Sequence, residues 1–148
     1  MRTYFGVRRL AGPLLATLLL LPGLTLAATK TWTGSGVLEK WDSALNWDGA
    51  APLPGDDLVF PSTPAVGYQT DNNFPGGTSF RSITMTSANF LNQAISGWTH
   101  RGHDVVLQKS MTFLSSDQSS DTFSTINFPV TLADDVTFYL QNGLSASW

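Results

Sequence analysis

The 148-residue sequence contains no cysteine. A small exported domain without disulfides has to be held by packing, backbone ladders or metal, and a Cys-anchored lipoprotein is excluded. Glutamate is nearly absent, with Glu39 standing alone. No window shows a sustained 3.6-residue apolar period with caps, so helices are not expected. Basic residues are also few. Only Lys30, Lys40, Arg81, Arg101 and Lys109 follow position 28; these five against eleven acidic residues give about −6. That sign argues against phosphate backbones and anionic membrane surfaces, so no nucleic-acid partner is expected. The sequence has no G-x-S-x-G elbow, P-loop, G-x-G-x-x-G turn or D-x-D-x-D-G loop, so none of the chemistries tied to those motifs has a foothold.

The N-terminus carries Arg2, Arg8 and Arg9, then an apolar, Leu-rich run from Leu10 to Leu26, then small residues at Thr25-Leu26-Ala27. This is the pattern of a secretory signal peptide over residues 1–28. Pro13 and Pro22-Gly23 interrupt the run, which favours cleavage over a retained anchor. The flanks of Arg8-Arg9 fit twin-arginine export poorly, so the general secretory route is expected. The mature chain is then one domain of about 120 residues, secreted or held at the cell surface or outer membrane, with no membrane span left.

Beyond the signal, short β-branched and aromatic runs alternate with turn residues. The runs are Leu58-Val59-Phe60, Phe80 with Ser82–Thr86, Asp104–Gln108, Met111–Leu114, Phe123–Phe128, Val130–Leu132 and Val136–Leu140. Residues 62–77 and 115–121 read as polar loops, and Ala133-Asp134-Asp135 as a turn. Six or seven short strands of period 2 fit a coil of parallel strands or, alternatively, a β-sandwich. Ile83, Leu107 and Leu132 are spaced by 24 and 25 positions, which favours a coil with rungs of about 20–30 residues.

The most distinctive mature stretch is Thr31-Trp32-Thr33-Gly34, Trp41 through Trp47, and Pro52-Leu53-Pro54-Gly55-Asp56-Asp57-Leu58-Val59-Phe60. Here the chain resembles the N-terminal segment of bacterial autotransporter-associated β-strand repeat proteins, many with PEP-CTERM-type sorting tails. The resemblance implies a Trp-rich cap over residues 29–60 and right-handed parallel β-helix rungs over 61–148. Phe80–Met85 and Ile126–Leu132 are similar to rung sequences there. Family members are longer and carry Gly-rich repeats that this chain lacks, which reads as a truncated N-terminal fragment. The implied role is that of a non-catalytic, structural or adhesin-like module at the cell surface or outside the cell. Polysaccharide or other surface proteins would be its partners.

Trp32, Trp41 and Trp47 admit two readings. One is a hydrophobic lid over the first rung; the other is a stacking platform for sugar rings, the mark of a carbohydrate-binding module. Trp98 and Trp148 receive no role. Asp56-Asp57, Asp134-Asp135 and the Asp42/Asn46/Asp48 group are oxygen clusters that read first as solvated turn acids; the last group reads alternatively as Asx-type hydrogen bonds to local backbone. Calcium is the one cofactor they would admit. His100 and His103, with Asp104, read as a surface turn around Gly102, lacking a third ligand for metal. A polysaccharide-degrading enzyme fragment is the last alternative, with Arg81 or Arg101 as lyase residues. No catalytic residue is assigned.

Overall fold

In the computed structural model, described here for residues 26–62, 69–87, 98–115, 125–133 and 135–140, the β-branched and aromatic runs form nine strands. They are β1 (Thr29–Thr31), β2 (Asp57–Phe60), β3 (Gln69–Asn72), β4 (Thr78–Ser87), β5 (Thr99–Gly102), β6 (Val105–Ser115), β7 (Thr125–Asn127), β8 (Val130–Leu132) and β9 (Thr137–Leu140). The one helical element among the described residues is a 3-10 turn at Ala44–Asn46. The signal segment lies outside the described residues up to position 25, as do Trp148, Asp134 and most of the 115–121 loop.

Every ladder between these strands is parallel. One sheet runs β1-β2-β4-β6-β8, with β9 also on β6; a second runs β3-β5-β7. The chain therefore winds as a β-solenoid of about three turns, a parallel β-helix. A β-sandwich would require antiparallel sheets face to face and is overturned. Parallel strands cannot be joined by tight hairpins, so each return to a sheet costs a whole turn of chain.

The register explains the core. In the first sheet Leu58, Ile83, Met111 and Phe138 form one column, and Phe60, Met85, Phe113 and Leu140 the next. Phe80, Leu107 and Leu132 form a third. Leu58, Phe60, Phe80, Ile83, Met85, Leu107 and Met111 are wholly or almost wholly buried. Inward columns shared by successive turns give one continuous core.

One of the two spacings read from sequence survives. Leu107 does pair with Leu132, but Ile83 pairs with Met111, and Leu107 with Phe80. The Ile83–Leu107 interval falls short because β4 and β6 pair at an offset of 27 positions up to Phe80, and of 28 after a register shift between Phe80 and Ser82, where Gln108 and Lys109 stand opposite Arg81. Such a bulge re-aims the strand and flips its alternation. It also merges the two expected runs at 104–108 and 111–114 into the single strand β6.

Three strands are absent from the sequence expectation: β1, β3 and β5. Residues 69–72 were expected to be loop because Gln69-Thr70-Asp71-Asn72 is polar throughout. Yet Thr70 and Asn72 point inward, fully buried. Gly102, expected in a surface turn, ends β5 opposite Asn72. Its φ is +119°, and a Cβ there would collide with the Asn72 backbone, so the close approach of β3 and β5 needs glycine.

Candidate functional site

The Trp-rich opening is itself the first, partial turn rather than a lid laid on one. β1 pairs with β2, and Lys40 bridges to Asp71 at the head of the second sheet. The Trp41 N–H donates to the Asp71 carbonyl (3.0 Å), and the Asp71 N–H to the Glu39 carbonyl (2.7 Å). Trp32, Trp41 and Trp47 fill the interior of that turn at 1%, 0% and 3% exposure. A sugar platform needs a ring face open to solvent. None of these three rings offers one, so the expected stacking surface is not present in this arrangement.

Phe60 is the hub of the cluster. Its ring lies 4.5–5.8 Å, centroid to centroid, from Trp32, Trp41, Trp47, Trp98 and His100. Trp41 reaches further along the axis, to Phe80 (5.9 Å) and Phe128 (5.8 Å), and so ties the opening to three later turns. Edge-to-face contacts dominate, the arrangement that ring quadrupoles prefer. The Trp47 indole N–H donates to the Trp41 carbonyl at 2.7 Å.

His100 contradicts the surface-turn reading most sharply. It sits in β5 at 0% exposure, stacked on Trp98 and against Phe60. Its Nδ1 is 2.7 Å from the Thr70 hydroxyl, the residue paired with it in the ladder. Burial in this ring shell pushes its pKa down to about 3, because charging an imidazole away from water is costly. Nε2 of His100 and the indole nitrogens of Trp32 and Trp41 have no hydrogen-bond partner. His103 is exposed, with Nδ1 2.6 Å from the Phe74 carbonyl. The two histidines therefore serve different environments. Trp98 and His100 had a signal in the sequence: they alternate inward across Thr99, a period-2 pattern that Gly102 masked.

The acidic clusters are likewise structural. Asp56 and Asp57 are buried, not solvated. The Asp56 carboxylate accepts N–H bonds from Ala28 (2.8 Å) and Leu53 (2.9 Å). Asp57 accepts a two-pronged contact from the Arg81 guanidinium and a bond from the Ser82 hydroxyl (2.6 Å). Arg81, foremost through that hydrogen bond, holds the Asp57 carboxyl below its ordinary range. Asn46, buried, accepts from the Gly36 N–H and donates to the carbonyls of Leu38 and Lys40. Asp48 accepts from the Thr31 N–H at 2.8 Å. The Asx reading of the Asp42/Asn46/Asp48 group expected local backbone partners; Asn46 and Asp48 do bond backbone groups, but ones 6 to 17 positions away. Asp42 is exposed, and Asp135 lies in a turn with φ 59°.

Among the described residues, no three His, Cys, Asp or Glu side chains gather in a group able to hold a metal. Arg101, 3.8 Å from Glu39, lies on the outer face of the second sheet. Arg81 is committed to Asp57. The ring cluster and a set of carboxylate and amide hydrogen bonds hold the opening onto the turns that follow. No protein-family model matches this sequence, and neither the curated proteins nor the solved structures provide a match.

Proposed function

We propose that this chain is an exported, non-catalytic β-helix module that serves as a stiff structural or adhesin-like element at the cell surface or outside the cell. The observation that carries the reading is the unbroken parallel ladder from β1 through β2, β4 and β6 to β8 and β9. A stacked solenoid of this kind resists bending and repeats its outward side chains at the inter-strand spacing of about 4.8 Å. Weak contacts repeated along such a face add through multivalency. The leader-like pattern of residues 1–28 and the resemblance of the Trp-rich opening to exported repeat proteins support the location.

The test has two arms. Expressed with residues 1–28 in a Gram-negative host, the chain is expected in the medium or accessible to protease added to intact cells. Retention of an uncleaved chain in the cytoplasm would overturn export. Incubated with pectins or alginates, it is expected to generate no unsaturated sugar ends; their appearance would overturn the non-catalytic reading and revive the lyase alternative.

A further inference from the structure

Among the described residues, Ala28 is the first that is bonded to the rest of the fold. Its N–H donates to Asp56 Oδ1 at 2.8 Å, and its carbonyl accepts from the Asp57 N–H at 2.8 Å. Leu26 and Ala27, just before it, take part in no hydrogen bond, and Leu26 is exposed. In the sequence, Thr25 and Ala27 are the small residues of the cleavage pattern. That pattern asks for small side chains at the first and third positions before the cut.

Asp56 is a carboxylate shielded from water, at 5% exposure. Two N–H groups hold it, that of Ala28 at Oδ1 and that of Leu53 at Oδ2. No Lys or Arg among the described residues pairs with it, because Arg81 is bound to Asp57 and Arg101 lies by Glu39. A buried carboxylate without a cation is costly, and buried charges are as a rule paired.

We infer that the leader is removed between Ala27 and Ala28, and that the α-ammonium freed on Ala28 is the cation that Asp56 holds. This rests on the export reading above and moves the leader boundary back by one residue, from after Ala28 to after Ala27. A leader peptidase of the exporting host hydrolyses the Ala27–Ala28 bond with one water. Ala27 leaves with a carboxylate, and the Ala28 nitrogen keeps its electron pair and is protonated. The 2.8 Å contact to Asp56 is already an ion-pair distance. Ala28 is exposed, so the remaining ammonium hydrogens reach water. The cut therefore turns a neutral N–H contact into a charge-assisted one, roughly twice as strong, and the processed fold is tighter than its precursor. A cut after Ala28 would place Leu26 at the third position before it and remove the Ala28 donor from Asp56.

The 148-residue chain, expressed with its leader in a Gram-negative host, tests the cut. Intact mass and N-terminal sequencing of the exported form are expected to give Ala-Thr-Lys-Thr-Trp. A processed chain that begins at any other residue overturns this inference and leaves export standing; an unprocessed chain overturns both. The ion pair is tested on two purified chains, one beginning at Ala28 and one at Ala27, each released from a cleavable tag. The Ala28 chain is expected to melt about 3 °C higher at about pH 6.5. That margin is present below the ordinary amine pKa of about 8 and is lost as pH rises through the higher folded value. The other charged groups around the amine are Lys30 in β1, Asp57 in β2 and Arg81 in β4. They are common to both chains and cancel in the difference. Asp56→Asn should erase the margin, and if that variant fails to fold the pH series decides alone. No margin between the two chains, or one that persists in Asp56→Asn or in strong alkali, would overturn the inference.

Discussion

The imidazole of His100 lies nearly flat on the indole of Trp98, with planes 16° apart and centroids 5.6 Å apart. The stack places a titratable ring where water does not reach, and the neutral form is the one that fits. The pKa falls from an ordinary 6.5 to about 3 on folding. Between those values the unfolded chain binds a proton that the folded chain refuses, so stability rises with pH across that window. The melting temperature is expected to be level above pH 6.5 and to fall steadily from there toward pH 3. His100→Phe should flatten that part of the profile. An unchanged slope in the variant would place the acid sensitivity elsewhere.

Phe60 touches five rings at the centre of the buried cluster. Phe60→Ala is expected to cost about 3–5 kcal/mol, the range for a buried phenyl removed from a packed core. Urea unfolding measures the loss directly. The same variant should red-shift the tryptophan emission, because Trp32, Trp41, Trp47 and Trp98 all lose their seal.

Gly102 holds a left-handed φ directly against the Asn72 backbone. Gly102→Ala is expected to destabilise the fold by about 2–3 kcal/mol through strain and displacement of β3 from β5. Gly49→Ala is the control. It also has a positive φ, +107°, but nothing lies within 4 Å of the added methyl. Its cost should be the smaller of the two in the same unfolding measurement.

Asp57 is shielded and Arg81 half exposed, so their pair is worth less than a fully buried one. Asp57→Asn is expected to cost about 1–2 kcal/mol near neutral pH, in line with charge-assisted hydrogen bonds. Its folded pKa lies below the ordinary 3.8. The contribution is therefore present above that value and disappears as pH falls through the folded pKa. Wild type and Asp57→Asn should converge in melting temperature at strongly acid pH.

Tryptophan quenching addresses carbohydrate contact. In a Trp148→Phe background, emission is expected to be blue-shifted, shielded from iodide and unmoved by soluble polysaccharides. A polysaccharide-dependent shift would show that a ring face opens.

Much of the architecture was legible along the chain. Runs such as Val136–Leu140 and Ser82–Thr86 alternate cleanly, and alternation fixes which side chains face inward. The Leu107–Leu132 interval was a true rung. The Ile83–Leu107 interval was not, because this turn takes 27–28 positions and not 24, one of them the extra residue at Gln108-Lys109. Polar strands escaped notice for a different reason. Thr70, Asn72 and His100 are inward residues; the Thr70–His100 contact and the bond from Asn72 Nδ2 to the His103 carbonyl form only once β3 and β5 are adjacent. Asp56 and Asp57 looked solvated because their donors lie 3 to 28 positions away.

The sequence by itself determined strand content, the lack of long helices among the described residues, the approximate rung length and the aromatic opening. Each of these follows from residue type and near-neighbour spacing. Only the tertiary structure decided that Trp32, Trp41, Trp47 and Trp98 face inward, that His100 is dry and that Asp57 meets Arg81. Those outcomes depend on which turn lies over which, and a single inserted residue is enough to change that pairing.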